Sequence, residues 1–235
     1  MSKLLEICAA SLPSALAAQA GGAHRIELCQ NLEQGGITPS YGLIRQVVAE
    51  VHLPVFVLIR PRPGGFVYSA AELAIMRADI GLCRDLGCAG VVLGALDPAG
   101  HVAVGDCRAL IEQAGPLGIT FHRAFDACAN QAQALEAVIG LGCQRVLTSG
   151  GQPAAPDAHA QLAALVAQAT RRIEIMPGAG IGAANLAALA ANTGAREFHA
   201  SAKRLVPPDP AAGLFATAQW ETDAAQVAEL VALLA

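Results

Sequence analysis

Short apolar runs alternate with longer Ala- and Leu-rich stretches along the chain. The runs 4–8, 25–29, 55–60, 90–93, 119–125, 145–148, 173–176 and 197–200 read as strands, each flanked by turn-forming residues. The stretches 12–22, 40–51, 70–86, 106–115, 130–140, 157–170, 183–192 and 223–234 read as helices. Ser69 with Glu72 three residues on is a capping box, and Asn130, Asn185 and Asp223 stand where N-caps belong. Gly21, Gly87, Gly115 and Gly142 stand where helices stop. Eight strand–helix units of roughly 30 residues each predict a (β/α)8 TIM barrel, an α/β fold built as one domain over 1–235. An open doubly wound sheet is the competing arrangement. The one irregular stretch, 205–222, holds Pro207, Pro208 and Pro210 and reads as a long loop before the final helix.

Strand residues alternate in direction, and the outward set of a barrel strand packs under helices. Leu5 and Ile7 facing out put Glu6 and Cys8 inside. By the same parity Glu27 and Cys29, Arg60, Thr120 and His122, and Glu197, His199 and Ser201 point inward. Thr148 is expected to share the inward side with Val146, and Arg62 follows Arg60 on its loop. Buried charges need partners or water, so this set predicts a polar pocket at the carboxyl end of the barrel. An internal salt-bridge plug is the plainer alternative.

Composition narrows the class. The chain has 235 residues, 54% of them hydrophobic and 14% charged, which excludes a disordered segment. A net charge of −4 argues against a nucleic-acid partner. No run is long and apolar enough for a membrane span, and Glu6 breaks the first apolar run too early for a signal peptide, so a cytoplasmic protein is expected. Seven cysteines, none in CxxC spacing, suit reduced thiols rather than a zinc ribbon.

Several strings are distinctive in this order: Glu6-Ile7-Cys8, Glu27-Leu28-Cys29, Gly35-Gly36-Ile37-Thr38-Pro39-Ser40, Arg60-Pro61-Arg62, Thr120-Phe121-His122-Arg123-Ala124-Phe125-Asp126, Leu147-Thr148-Ser149-Gly150 and Gly178-Ala179-Gly180-Ile181. Together they resemble the CutC family, the copper homeostasis proteins, over residues 4 to about 203 and the closing helix. The resemblance implies a TIM-type barrel, a homodimer or homotetramer, and copper handling in the cytoplasm. It places copper on Cys8 and Cys29. The pattern departs after the eighth strand, where family members carry a longer basic and aromatic segment and this chain has the Pro- and Ala-rich stretch Lys203–Thr222.

Two chemistries follow. Cys8 and Cys29 fall at the top of adjacent strands, about 5 Å apart by the inter-strand spacing, and paired thiolates suit the soft ion Cu(I). Each is equally readable as a small buried hydrophobe. The alternative is an enzyme acting on a small anionic metabolite, phosphorylated or carboxylated, by general acid/base chemistry. Glu6 or Glu27 would be the base and His122 or His199 the acid. Arg60, Arg62 and Arg123, with Asp126 from the same string, would frame the anion. Thr148, Ser149 and Gly150, Gly178 and Gly180, and Ser201 would supply loop donors. Barrel turns need glycine in any case. Lys3 and Lys203 are the two lysines, which removes Schiff-base chemistry from mid-barrel and leaves isomerisation, lyase or hydrolytic reactions.

Overall fold

The computed structural model describes residues 3–235. Eight short parallel strands form the wall: β1 (Leu4–Ala9), β2 (Arg25–Leu28), β3 (Val55–Leu58), β4 (Gly90–Leu93), β5 (Gly118–Phe121), β6 (Arg145–Thr148), β7 (Glu174–Pro177) and β8 (Glu197–Ala200). Eight helices cover it: α1 (Leu12–Ala20), α2 (Tyr41–Glu50), α3 (Ala70–Asp85), α4 (Val104–Ala114), α5 (Gln131–Gly140), α6 (His159–Ala169), α7 (Leu186–Thr193) and α8 (Ala224–Leu234). The strands pair in the order β7-β6-β5-β4-β3-β2-β1-β8, and a parallel bridge between Gly178 and His199 joins the two ends. This is a (β/α)8 barrel in one domain.

Local chemistry explains the elements. Leu5, Ile7, Ile26, Leu28, Val57 and Phe198 turn outward and are fully buried beneath helices, the placement that favours β-forming aliphatics on a covered sheet. Ser69 and Glu72 close the predicted capping box at α3, and the side chains of Asn130 and Asp223 cap α5 and α8. Asn185 does otherwise. Its amide accepts from Gly182 N–H and donates to the Gly180 carbonyl, so it braces the loop between β7 and α7 rather than capping the helix.

The stretch expected as a loop contains a two-stranded antiparallel ribbon, β9 (Lys203–Val206) with β10 (Gln219–Thr222). Its pairing joins the residues on either side of the prolines, and Lys203 Nζ lies 4.3 Å above the Trp220 ring. Thr222 N–H donates to Ser14 Oγ on α1, which ties the ribbon to the barrel wall. Among the described residues, no helix is long and apolar enough to cross a membrane.

Candidate metal centre in the barrel mouth

The interior is built in layers of side chains contributed by alternate strands. Glu6 stands opposite Arg25 on one side and His199 on the other. In the lower layer Arg25 ion-pairs with Glu6 and, at 2.6 Å, with Glu197, which also holds Arg145 at 3.1 Å. The guanidinium groups of Arg25 and Arg145 lie 5.3 and 4.9 Å from the centre of the Phe56 ring. That ring fits because Gly90 faces it: a Cβ there would come within 2.2 Å of Phe56 Cε1. The Arg25 charge outweighs part of the burial that would raise the Glu6 carboxyl, and with help from His199 brings it down to about 2. Two carboxylates and two guanidiniums thus neutralise one another away from water.

One step up, Cys8 stands in register with Glu27. Cys8 Sγ lies 3.3 Å from Cys29 Sγ, the two sulfurs packing with Phe56, Leu58 and Val92 inside the barrel. His199 Nδ1 lies 2.8 Å from Glu6 Oε1, and its Nε2 faces Glu27 Oε2 at 3.7 Å. Since Glu6 is ionised, Nδ1 is the protonated nitrogen and donates to it. Burial opposes charge on His199, but Glu27 and Glu6 override it and raise its pKa. Burial raises the Glu27 carboxyl, with His199 pulling the other way. The contact with Cys29, then burial and Glu27, hold Cys8 as a thiol well above its ordinary value.

Cys8, Glu27 and His199 form the floor of a cavity of about 970 Å³ that opens at the carboxyl end of the strands, with Cys29 and Glu6 buried behind them. His122 lines its far wall. Burial and the nearby Arg60 charge bring the His122 pKa down to about 3, so the ring is neutral. Its Nδ1 accepts from Ala124 N–H at 3.2 Å, which puts the remaining proton on Nε2. Nε2 is buried without a protein partner. Gly94 makes room for this ring, since a Cβ there would come within 2.8 Å of Nδ1.

Comparison with known proteins bears on what this mouth is. The family model described as "CutC family" matches residues 3–204, nearly the whole barrel. The chain belongs to the CutC family. It is 54% identical over 235 residues to a CutC family protein of Xanthomonas campestris, covering 98% of each chain. A CutC family protein of Xylella fastidiosa is 56% identical over 202 residues, covering 86% of this chain and 76% of its relative. The crystal structure of a CutC protein from Streptococcus agalactiae, whose name assigns it to copper homeostasis, superposes with a TM-score of 0.80 at 35% identity. That match covers 85% of this chain and 98% of the other.

Several residues expected at the mouth of this CutC chain stand elsewhere. Glu6 is 1% exposed and lies under the floor, where it can orient His199 but not touch a molecule in the cavity. Arg62 points away into the β3–α3 loop, held by Glu72 and by the carbonyls of Gly65 and Val67. Arg60 does line the cavity, but its terminal nitrogens donate to the carbonyls of Gln34, Gly36 and Gly64. It therefore braces two loops, while its Nε is buried with no hydrogen-bond partner.

The β6 loop is likewise taken. Asp126 accepts from Ser149 N–H, Gly151 N–H, and the hydroxyls of Thr148 and Ser149, while Arg123 donates to it at 2.8 Å. The protein's own carboxylate fills the nest in which an anion was expected. In strand six the parity is the reverse of that expected: Val146 packs in the outer core, Leu147 lines the cavity, and Thr148 turns away to Asp126. Gly150 packs against Ala158 and Leu162, and Gly178 against Leu147 and His199. Gly180, Ser201, Arg123 and Asp126 do reach the cavity wall. Arg25 and Arg145 are inward residues that were not expected. Arg25 shares its parity with Glu27, and that signal was available.

Proposed function

We propose that this CutC chain binds Cu(I) through Cys8 and Cys29 and serves in copper handling within a reducing compartment such as the cytoplasm. The observation that carries the reading is the 3.3 Å approach of the two sulfurs beneath an open cavity. Two thiolates are the donors a soft monovalent ion prefers. The other five cysteines are free as well and sit outside the floor, which suits a compartment where thiols stay reduced. The CutC name of the relatives and the copper homeostasis name of the Streptococcus agalactiae protein agree with it.

Binding must release the protons that the thiols hold, so affinity rises with pH. Cu(I) enters from the cavity, reaches Cys8 first, and completes its coordination at Cys29, which lies behind it with 0% exposure. Anaerobic titration against a Cu(I) chelator tests the reading. The wild-type chain takes one Cu(I), and Cys8→Ser with Cys29→Ser takes none. Unchanged uptake by the double variant overturns the assignment.

A further inference from the structure

The floor of the cavity presents a second set of donors that the copper reading leaves unused. The ligand atoms of Cys8, Glu27 and His199 all lie within 4.8 Å of one another, a convergence found in no other trio among the described residues. They come from β1, β2 and β8, with Cys8 in register beside Glu27 and His199 beside Glu6. Rigid strands, rather than loops, therefore hold all three.

We propose that Cys8, Glu27 and His199 form a mixed-donor site for a divalent cation of borderline softness, of the Zn²⁺ or Co²⁺ type, with one coordination position open to the cavity. One sulfur, one nitrogen and one oxygen match the mixed ligand types that such ions accept, and the carboxylate oxygen is the donor that Cu(I) does not favour. A tetrahedral site with bonds of roughly 2.0–2.3 Å has ligand–ligand edges of roughly 3.3–3.8 Å. The 3.7 Å between His199 Nε2 and Glu27 Oε2 already falls in that range.

The surroundings of the trio are those of a built metal site. His199 turns Nε2 to the site because Nδ1 donates to Glu6 at 2.8 Å, the carboxylate–histidine arrangement that orients a metal-binding imidazole. Glu6 is in turn fixed by Arg25, so the orienting carboxylate cannot swing in and become a ligand itself. With three protein donors the fourth position faces the cavity, as in catalytic rather than structural sites. His122 shares that cavity, 4% exposed, with its Nε2 proton unclaimed by any protein group. It is placed to hydrogen-bond a water or an oxygen ligand held on the ion.

This site goes beyond the copper reading. It shares Cys8 but not Cys29, and takes a different ion, so Cu(I) and the divalent cation exclude one another. Cobalt(II) added to the full chain under anaerobic conditions is the probe, read by its thiolate-to-metal charge-transfer absorption. Wild type gives this band with one Co²⁺ per chain. Glu27→Gln and His199→Gln each weaken binding at least roughly tenfold, as expected for loss of a ligand. Cys29→Ser holds Co²⁺ within about twofold, and Cu(I) added first removes the band. Glu27→Gln keeps the shape of the side chain and removes a charge that burial disfavours, so it folds and decides the matter even where His199→Gln does not. Absence of the band in wild type overturns the site, as does full affinity in Glu27→Gln. Loss of Cu(I) uptake alone would speak to the copper reading and leave this site standing.

Discussion

Two polar layers a few ångströms apart inside one barrel behave in opposite ways. In the lower layer Glu6, Arg25, Arg145 and Glu197 satisfy one another, and the Phe56 ring lies against both guanidiniums. In the upper layer Cys8 meets Cys29, His199 offers Nε2, and His122 offers an N–H that no protein group accepts. The charges beneath are closed on themselves and hold the strands in register. The groups above are weakly partnered and face a cavity. Burial of charge alone therefore does not mark a site; burial with unmet donors does.

The comparison is broken most severely from below. Arg25→Leu leaves Glu6 without its guanidinium and weakens the hold on Glu197, and removing one member of a buried ion pair typically costs about 3–5 kcal/mol. Urea denaturation checks this, and a loss under 1 kcal/mol, about the value of an exposed pair, would show that the layer is solvated. Next comes the loop that the anion reading had relied on. Asp126→Ala strands the buried N–H of Ser149 and is expected to cost about 2 kcal/mol. Phosphate binding unmasked by that variant would revive the nest as an anion site.

Acid separates the layers without a large structural change. The folded pKa of His122 lies near 3 against an ordinary 6.5, so its stabilising contribution is complete above pH 6.5 and is lost as the pH falls toward 3. The Glu6 carboxyl lies near 2 against 4.5, so its contribution is complete above pH 4.5 and is lost only between 4.5 and 2. Stability of the metal-free chain should decline in two stages. His122→Asn should flatten the stage that begins at pH 6.5, and Glu6→Gln the one that begins at pH 4.5. A decline that begins at pH 6.5 in the His122 variant would contradict the assignment. The smallest effect belongs to Cys29→Ala, which removes one buried sulfur and is expected to cost about 1 kcal/mol of stability while abolishing tight Cu(I) binding.

Strand alternation made much of the fold legible. Leu5 and Ile7 around Glu6 fix the phase of β1, and Ile26 and Leu28 fix that of β2, so the inward side of both could be read off. The phase of β6 could not, because Val146 and Leu147 are both apolar and the polar Thr148 suggested the wrong side. Arg60 and Arg62 lie beyond the end of β3, where alternation ceases: Arg60 is held partly by the carbonyls of Gln34 and Gly36 from a distant loop, and Arg62 by those of Gly65 and Val67 in its own loop. The Asp126 nest joins two loops about twenty residues apart in sequence, and no local pattern announces it. The ribbon β9–β10 escaped because three prolines between the strands read as loop, although Pro is common in the turn that joins two strands.

The central claim is that the upper layer takes a metal through sulfur. X-ray absorption at the copper edge of the Cu(I)-loaded chain tests it most directly. Two sulfur scatterers per copper are predicted, falling to one in Cys29→Ser. A first shell of nitrogen and oxygen alone, or a spectrum unchanged in Cys29→Ser, would contradict it.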